Sequence, residues 1–352
     1  MILVRILLFP FTLLYATAIV LRNLLYKTGV LTRTRFDFPI ICVGNIAAGG
    51  TGKTPHIEWL IQHLRHEFQL AVLSRGYKRK TVGYQLADAF TTPDMIGDEP
   101  FQIKQHYPNI HLAVSENRVL GVPALLGDRP DTQVILMDDG FQHLPIQPGY
   151  SIILTDYRKL FVDDWLLPSG TLREFRSAYK RAQCIIVSKC PNEMPETDKQ
   201  SIRTRIHPVP GQLLLFSTLS YSELQPLYES RVTINSATEV LAFSGIAHNT
   251  LFIEELNRQF TSVHAIPYSD HKDYSEKELK EIAARFNALS TSNKILVTTA
   301  KDAVKLSSPT AKQILGNLPV YILPVAVLFD EQSERELLNA LRKYIHEALD
   351  NS

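Results

Sequence analysis

One octapeptide constrains this chain more than any other stretch: Ala47-Ala48-Gly49-Gly50-Thr51-Gly52-Lys53-Thr54. It follows an apolar run at 38–43 and precedes a helical pattern over 55–68, in which Ile57, Leu60, Ile61, Leu64 and Phe68 share one face. Pro55 falls in the first turn, where its missing N–H costs nothing. The order strand, glycine loop, helix is that of a phosphate cradle, G-x-x-x-x-G-K-[ST], with Ala47 in place of the first glycine. Glycines let backbone N–H groups curl around an anion, and the helix N-terminus adds positive dipole. Lys53 would reach the β- and γ-phosphates and the Thr54 hydroxyl would take Mg²⁺.

The rest of the pattern agrees with a βα alternation. Further apolar runs at 70–73, 111–114, 134–137, 151–154 and 184–187 are separated by polar or helical stretches. This predicts a P-loop NTPase-type, mostly parallel sheet flanked by helices. The run at 134–137 ends in Asp138-Asp139, the form of a Mg²⁺-binding or water-positioning partner to the loop. A cluster of prolines over 191–210 reads as a linker. The αβ texture then resumes, with strands at 240–243, 295–298 and 320–323. A Ser275/Glu278 capping box precedes one helix, and an apolar stripe Leu337, Leu338, Leu341, Ile345 marks another. The expected organisation is a segment 1–35, a P-loop core 36–205 and a smaller α/β domain 206–352.

The first 36 residues carry Arg5, Arg22, Lys27, Arg33 and Arg35 and no acid, although the whole chain has a net charge of only +1. That balance gives no case for nucleic acid. Between Arg5 and Arg22 lie sixteen uncharged residues, interrupted by Pro10 and short of the roughly 20 that span hydrocarbon. An interfacial helix with basic flanks meeting anionic headgroups is the favoured reading. A membrane span, a signal peptide cut near Ala16-Thr17-Ala18, and a helix packed on the protein's own core are the alternatives. Three scattered cysteines form no disulfide frame or zinc site and suit a reducing compartment.

No [NT]-K-x-D motif ends a strand: 184–187 runs into Ser188-Lys189-Cys190-Pro191, so ATP is favoured over GTP. Arg75 directly follows the second strand, where α/β sheets meet ligands. Gly97-Asp98-Glu99-Pro100, read alone, is a solvated turn, and Asp270-His271 a helix cap or structural hydrogen bond.

Taken in order, Val43-Gly44-Asn45 with the glycine loop, Ser74-Arg75-Gly76-Tyr77, Gly97-Asp98-Glu99-Pro100, Asp138-Asp139-Gly140-Phe141-Gln142-His143, Leu167-Pro168-Ser169-Gly170 with Leu172-Arg173-Glu174, Asp270-His271, and Lys301-Asp302-Ala303-Val304-Lys305 resemble the tetraacyldisaccharide 4′-kinase (lipid A 4′-kinase) family over about residues 1–310. Ala47 and Ala300 depart from its usual pattern. The resemblance implies transfer of the γ-phosphoryl of ATP to the 4′-hydroxyl of an acylated glucosamine disaccharide 1-phosphate, at the cytoplasmic face of the bacterial inner membrane and with no obligate protein partner. It makes residues 47–54 the nucleotide loop and Thr54, Glu99, Asp138 and Asp139 candidates for the metal shell. Asp98 would take the hydroxyl proton with His271, oriented by Asp270, and Arg75 and Arg118 would stabilise charge beside Lys53. Two other readings are a membrane-associated ATPase switch with no acceptor and a kinase of a soluble sugar.

Overall fold

The computed structural model describes residues 2–229, 232–246, 249–270 and 272–351. A nine-stranded sheet forms its larger layer. The first eight of its strands in the chain are β1 (Ile40–Asn45), β2 (Leu70–Ser74), β3 (Gln85–Leu86), β4 (His111–Val114), β5 (Val134–Asp138), β6 (Tyr150–Asp156), β7 (Cys184–Cys190) and β8 (Leu213–Tyr221). A five-stranded sheet follows, from β9 (Gln225–Pro226), β10 (Glu239–Ser244), β11 (Ser262–Pro267), β12 (Lys294–Thr299) and β13 (Val320–Leu323). The chain then returns to the large sheet as β14 (Val325–Phe329). The large sheet has the order β14-β8-β7-β6-β1-β5-β2-β4-β3, parallel throughout except for the two edge strands.

Alternation explains why these short apolar runs become central strands. In β1, Ile41 and Val43 pack into the core on one face, Ile40 and Cys42 into the core on the other. A strand covered on both faces reads as a continuous apolar run. β1 extends to Asn45, two residues beyond the apolar run, because Gly44 and Asn45 still pair with β6.

The expected boundary at 205 is not where the chain leaves the large sheet. The proline-rich stretch contains the helix Glu196–Ile206, whose Ile202 and Ile206 are buried, and it serves as the crossover to β8. A parallel connection needs such a crossover. The small sheet begins only after Tyr221 and ends at Leu323. The two connecting stretches touch where the Ser222 amide donates to the Pro324 carbonyl, 3.1 Å. The terminal helix Glu331–Leu349 also belongs to the large layer: Leu337, Leu338, Leu341 and Ile345 enter the same core as Ile57 and Leu64 of the helix α2 (Lys53–Leu64). The Ser275/Glu278 capping box forms as expected.

The N-terminal helix α1 (Ile2–Lys27) continues through Pro10. Most of its apolar side chains face outward, Leu7 at 68% and Leu14 at 70% exposure among them. Its polar residues dock: Thr12 donates to Ser169 Oγ at 2.7 Å, Tyr15 to the Arg173 carbonyl at 3.1 Å, and Arg22 to Glu174 at 2.9 Å. The reading of a helix packed wholly on the protein's own core is thereby corrected.

Candidate active site

The phosphate loop opens at the carboxyl end of β1, in the centre of the large sheet. Gly49 (φ +121°) and Gly52 (φ +88°) take conformations that side chains resist. Asn45 Nδ2 donates to Thr51 Oγ1 at 2.9 Å and Ser188 Oγ to the Thr51 carbonyl at 2.8 Å, so the loop is held from β1 and from β7. Ala47 pairs with Leu172 as extended backbone, and the Ala48 amide donates to Thr171 O at 2.7 Å. No left-handed turn falls at Ala47, so a methyl group there is tolerated. Behind the loop, His56 bonds Gly52 O (2.7 Å) and Ser217 Oγ (3.0 Å), and burial pushes its imidazole down to about 4.

Lys53 opens α2 and lies 3.7 Å from Asp139 Oδ1. Burial would raise Asp139, but Lys53 and Arg173 hold its carboxyl below the usual range. Asp138, adjacent and buried, accepts from Ser74 Oγ at 3.0 Å through Oδ2. Its Oδ1 has no hydrogen-bond partner among the described residues. Burial, then the charges of Glu99 and Asp139, push this carboxyl up to about 7. An orphaned carboxylate oxygen buried beside the phosphate loop fits a bound cation. No group of three carboxylate, imidazole or thiol side chains converges among the described residues. Mg²⁺ takes one or two carboxylates plus phosphate and water rather than a full protein cage.

Asp98 and Glu99 are not on a turn: they begin the helix Asp98–His106, reaching across to the small sheet. Asp98 is 3.2 Å from Lys305, and Glu99 is 3.2 Å from Lys301, which also lies 3.4 Å from Asp270. Thus the residues after β12 close over the carboxylates of the large domain. Between them lies a cleft of about 470 Å³, lined by the loop from Ala48 to Thr54 and by Arg75, Asp98, Glu99, Asp138, Asp139 and Asp270. His271 lies outside the described residues.

Arg118 is a correction. It is buried behind the site, donating to the Asp139 carbonyl at 3.0 Å, so it holds the Asp139 backbone instead of facing a phosphoryl group. Asp302 is likewise structural, fully buried and bonded to the Gly245 amide and Tyr274. Two cleft cations carried no sequence assignment of their own. Arg173 reaches Asp139 at 3.1 Å and also contacts Asn45. Lys189 is re-aimed by a bulge between Val187 and Cys190, pairs with Asp156 at 2.8 Å and contacts Gly50 O. Arg173 sits in a motif already quoted; for Lys189 the only local signal is its position at a strand end.

A family model described as Tetraacyldisaccharide-1-P 4′-kinase matches residues 4–343. The chain is 38% identical to the tetraacyldisaccharide 4′-kinase of Phocaeicola vulgatus, over 98% of this chain and 96% of that one. It is 37% identical to that of Flavobacterium johnsoniae over 99% of both. Among solved structures, LpxK from Aquifex aeolicus in complex with ATP superposes with a TM-score of 0.73 at 28% identity, covering 97% of this chain and 99% of that one.

Proposed function

The chain belongs to the tetraacyldisaccharide-1-P 4′-kinase family, and on that premise we propose how its cleft carries the reaction. The protein is an ATP-dependent lipid kinase that phosphorylates the 4′-hydroxyl of a tetraacyl glucosamine disaccharide 1-phosphate. The 4′-oxygen forms a bond to the γ-phosphorus as the bond to the β,γ-bridging oxygen breaks, and ADP leaves with that electron pair. Such a transition state offers little covalent work to a protein; positioning and charge carry the catalysis.

In our reading the backbone of 48–52 cradles the β-phosphate, while Lys53 and Arg75 neutralise the transferring group. Thr54 and Asp138 Oδ1 would hold Mg²⁺, which when bound offsets charge on the β- and γ-oxygens. Asp139, fixed by Lys53 and Arg173, keeps Lys53 in line. Asp98 accepts the hydroxyl proton with His271 as its partner, the latter oriented by Asp270, a contribution of roughly 10²–10⁴-fold. The observation that carries the reading is the single cleft shared by the phosphate loop, the orphaned oxygen of Asp138, Asp98 and Asp270.

The enzyme works at the cytoplasmic face of the inner membrane with α1 lying in the interface. Thr12, Tyr15 and Arg22 are all hydrogen-bonded to the protein, over a length of about 15 Å at 1.5 Å per residue. A helix docked along its flank presents its opposite apolar side to lipid and does not cross freely. The test is incubation with γ-labelled ATP and tetraacyl disaccharide 1-phosphate in detergent, followed by lipid extraction. Label in the lipid fraction, abolished by Lys53→Ala, is expected; label remaining as free phosphate would overturn the reading.

A further inference from the structure

The phosphate loop is tied to α1 through one six-residue strap, 169–174. On its outer side the strap is held by the membrane-facing helix. Ser169 Oγ accepts from Thr12 at 2.7 Å and donates to the Arg5 carbonyl at 3.2 Å; the Ser169 amide donates back to Thr12 Oγ1 at 3.2 Å. The Arg173 carbonyl accepts from Tyr15 at 3.1 Å. Glu174, with no exposed side-chain surface, accepts from Arg22 at 2.9 Å and from Arg181 at 2.9 Å.

On its inner side the same strap builds the nucleotide site. Thr171 O accepts from Ala48, Leu172 bridges Ala47, and the Arg173 amide donates to Ile46 O at 2.8 Å. The Arg173 side chain then reaches Asp139 and Asn45, and Asn45 in turn holds Thr51. Residues 46–48 and 171–173 therefore lie side by side as extended chain, and no slack separates the α1 contacts from the loop contacts.

We infer that Glu174 is a positioning residue, and that the seating of α1 on the strap through Arg22, Tyr15 and Thr12 sets the geometry of the phosphate loop. A buried carboxylate is stable only while its cations stay in place, since removal of one partner leaves uncompensated charge in a low-dielectric site. Of its two cations, Arg181 belongs to the large domain and Arg22 to α1. Lifting α1 strips Glu174 of half its pairing and frees the strap next to Arg173. Nucleotide binding and α1 docking are then coupled, and by linkage the coupling works in both directions. The physical consequence is an enzyme whose ATP site is fully formed only when α1 is in place, as it would be at a lipid surface.

This inference rests on the reading of residues 47–54 as the ATP loop. Binding is measured on the full chain in detergent micelles without lipid substrate, with a fluorescent ATP analogue as probe, and kinetics are measured in the same micelles with tetraacyl disaccharide 1-phosphate added. Arg22→Met, Thr12→Val and Glu174→Gln are compared with wild type for analogue affinity, for the KM of ATP against kcat, and for thermal unfolding. Arg22→Met is expected to weaken analogue binding roughly tenfold, inside the 5- to 150-fold span of ordinary coupling. It should raise the KM for ATP in step, and Arg22→Lys should recover most of the loss. Should Glu174→Gln fail to fold, the two α1 variants carry the test. In wild type, ATP should also slow amide hydrogen exchange across residues 8–25. Unchanged analogue affinity in both Arg22→Met and Thr12→Val, or exchange in α1 indifferent to ATP, overturns the coupling. A wild-type chain that binds no analogue would instead sink the reading of the loop itself.

Discussion

Gly44→Ala tests how rigidly the carboxylate turn after β5 is pinned to β1. A Cβ at Gly44 would stand 2.6 Å from Phe141 Cβ and 3.2 Å from the Phe141 amide nitrogen. Carbon atoms prefer roughly 3.5–4.0 Å, so one backbone must retreat by about 1 Å. Phe141 has nowhere to go: it is 6% exposed, and the Arg181 guanidinium covers its ring at 4.6 Å. Arg181 also bonds the Phe141 carbonyl at 3.1 Å. On the other side, Gly44 is fixed between its β6 pairing and the Asn45 that holds the phosphate loop. The strain therefore spreads into Asp139, two residues before Phe141, whose amide donates to Val43 O at 2.9 Å. Overpacking of this kind costs about 1–3 kcal/mol, or a fall in Tm of several degrees at ~2–4 °C per kcal/mol. A ~1 Å displacement of a catalytic group costs about 10²-fold in turnover. Thermal unfolding and steady-state kinetics with γ-labelled ATP would measure both. Gly127→Ala is the control: its Cβ meets open space in the helix Arg118–Asp128, so Tm should hold or rise and kcat stay put. If Gly44→Ala melts like wild type and keeps kcat within twofold, the turn is not pinned as the packing indicates.

Three further outcomes are expected. Asp98→Ala and His271→Ala should each lower kcat by about 10²-fold or more, as for a lost base, and the double variant should lose far less than their product; independent, multiplying losses that track Tm would refute a shared role. His56, held near 4 by burial against an ordinary 6.5, is protonated in the unfolded chain before the folded one. Stability should thus fall as pH drops from about 6.5 to 4, by up to ~1.4 kcal/mol per pH unit, and denaturant unfolding of His56→Gln should lack that share; parallel curves for the two proteins would count against it. Deletion of residues 1–25 should move the enzyme from membrane pellet to supernatant with the chain still folded, and pelleting that persists would show that the anchor lies elsewhere.

Much of this enzyme is written in short stretches of chain. The phosphate loop, the parallel strands around it, the Asp138-Asp139 strand end and the Ser275/Glu278 cap are legible because each depends on a few neighbouring residues. Glycine conformations, alternation across a sheet and helix capping act over distances of one to four residues. The apolar, basic N-terminus was equally plain from charge and hydropathy alone. What needed the tertiary structure were the contacts between segments far apart in sequence. No periodicity announces that Arg173 crosses 128 positions to reach Asn45, or that Arg22 neutralises Glu174 152 residues away. The same holds for Lys301 and Lys305 closing on Glu99 and Asp98, and for Arg118 turning behind Asp139. The large sheet, too, gains β8 and β14 from beyond the apparent linker, because burial rewards completing a sheet and sets no premium on continuity of the chain. Local sequence determined which elements form and where phosphate can bind; only the packing of those elements decided which charges meet across the cleft, since Coulomb energy depends on distance in space and not on separation along the chain.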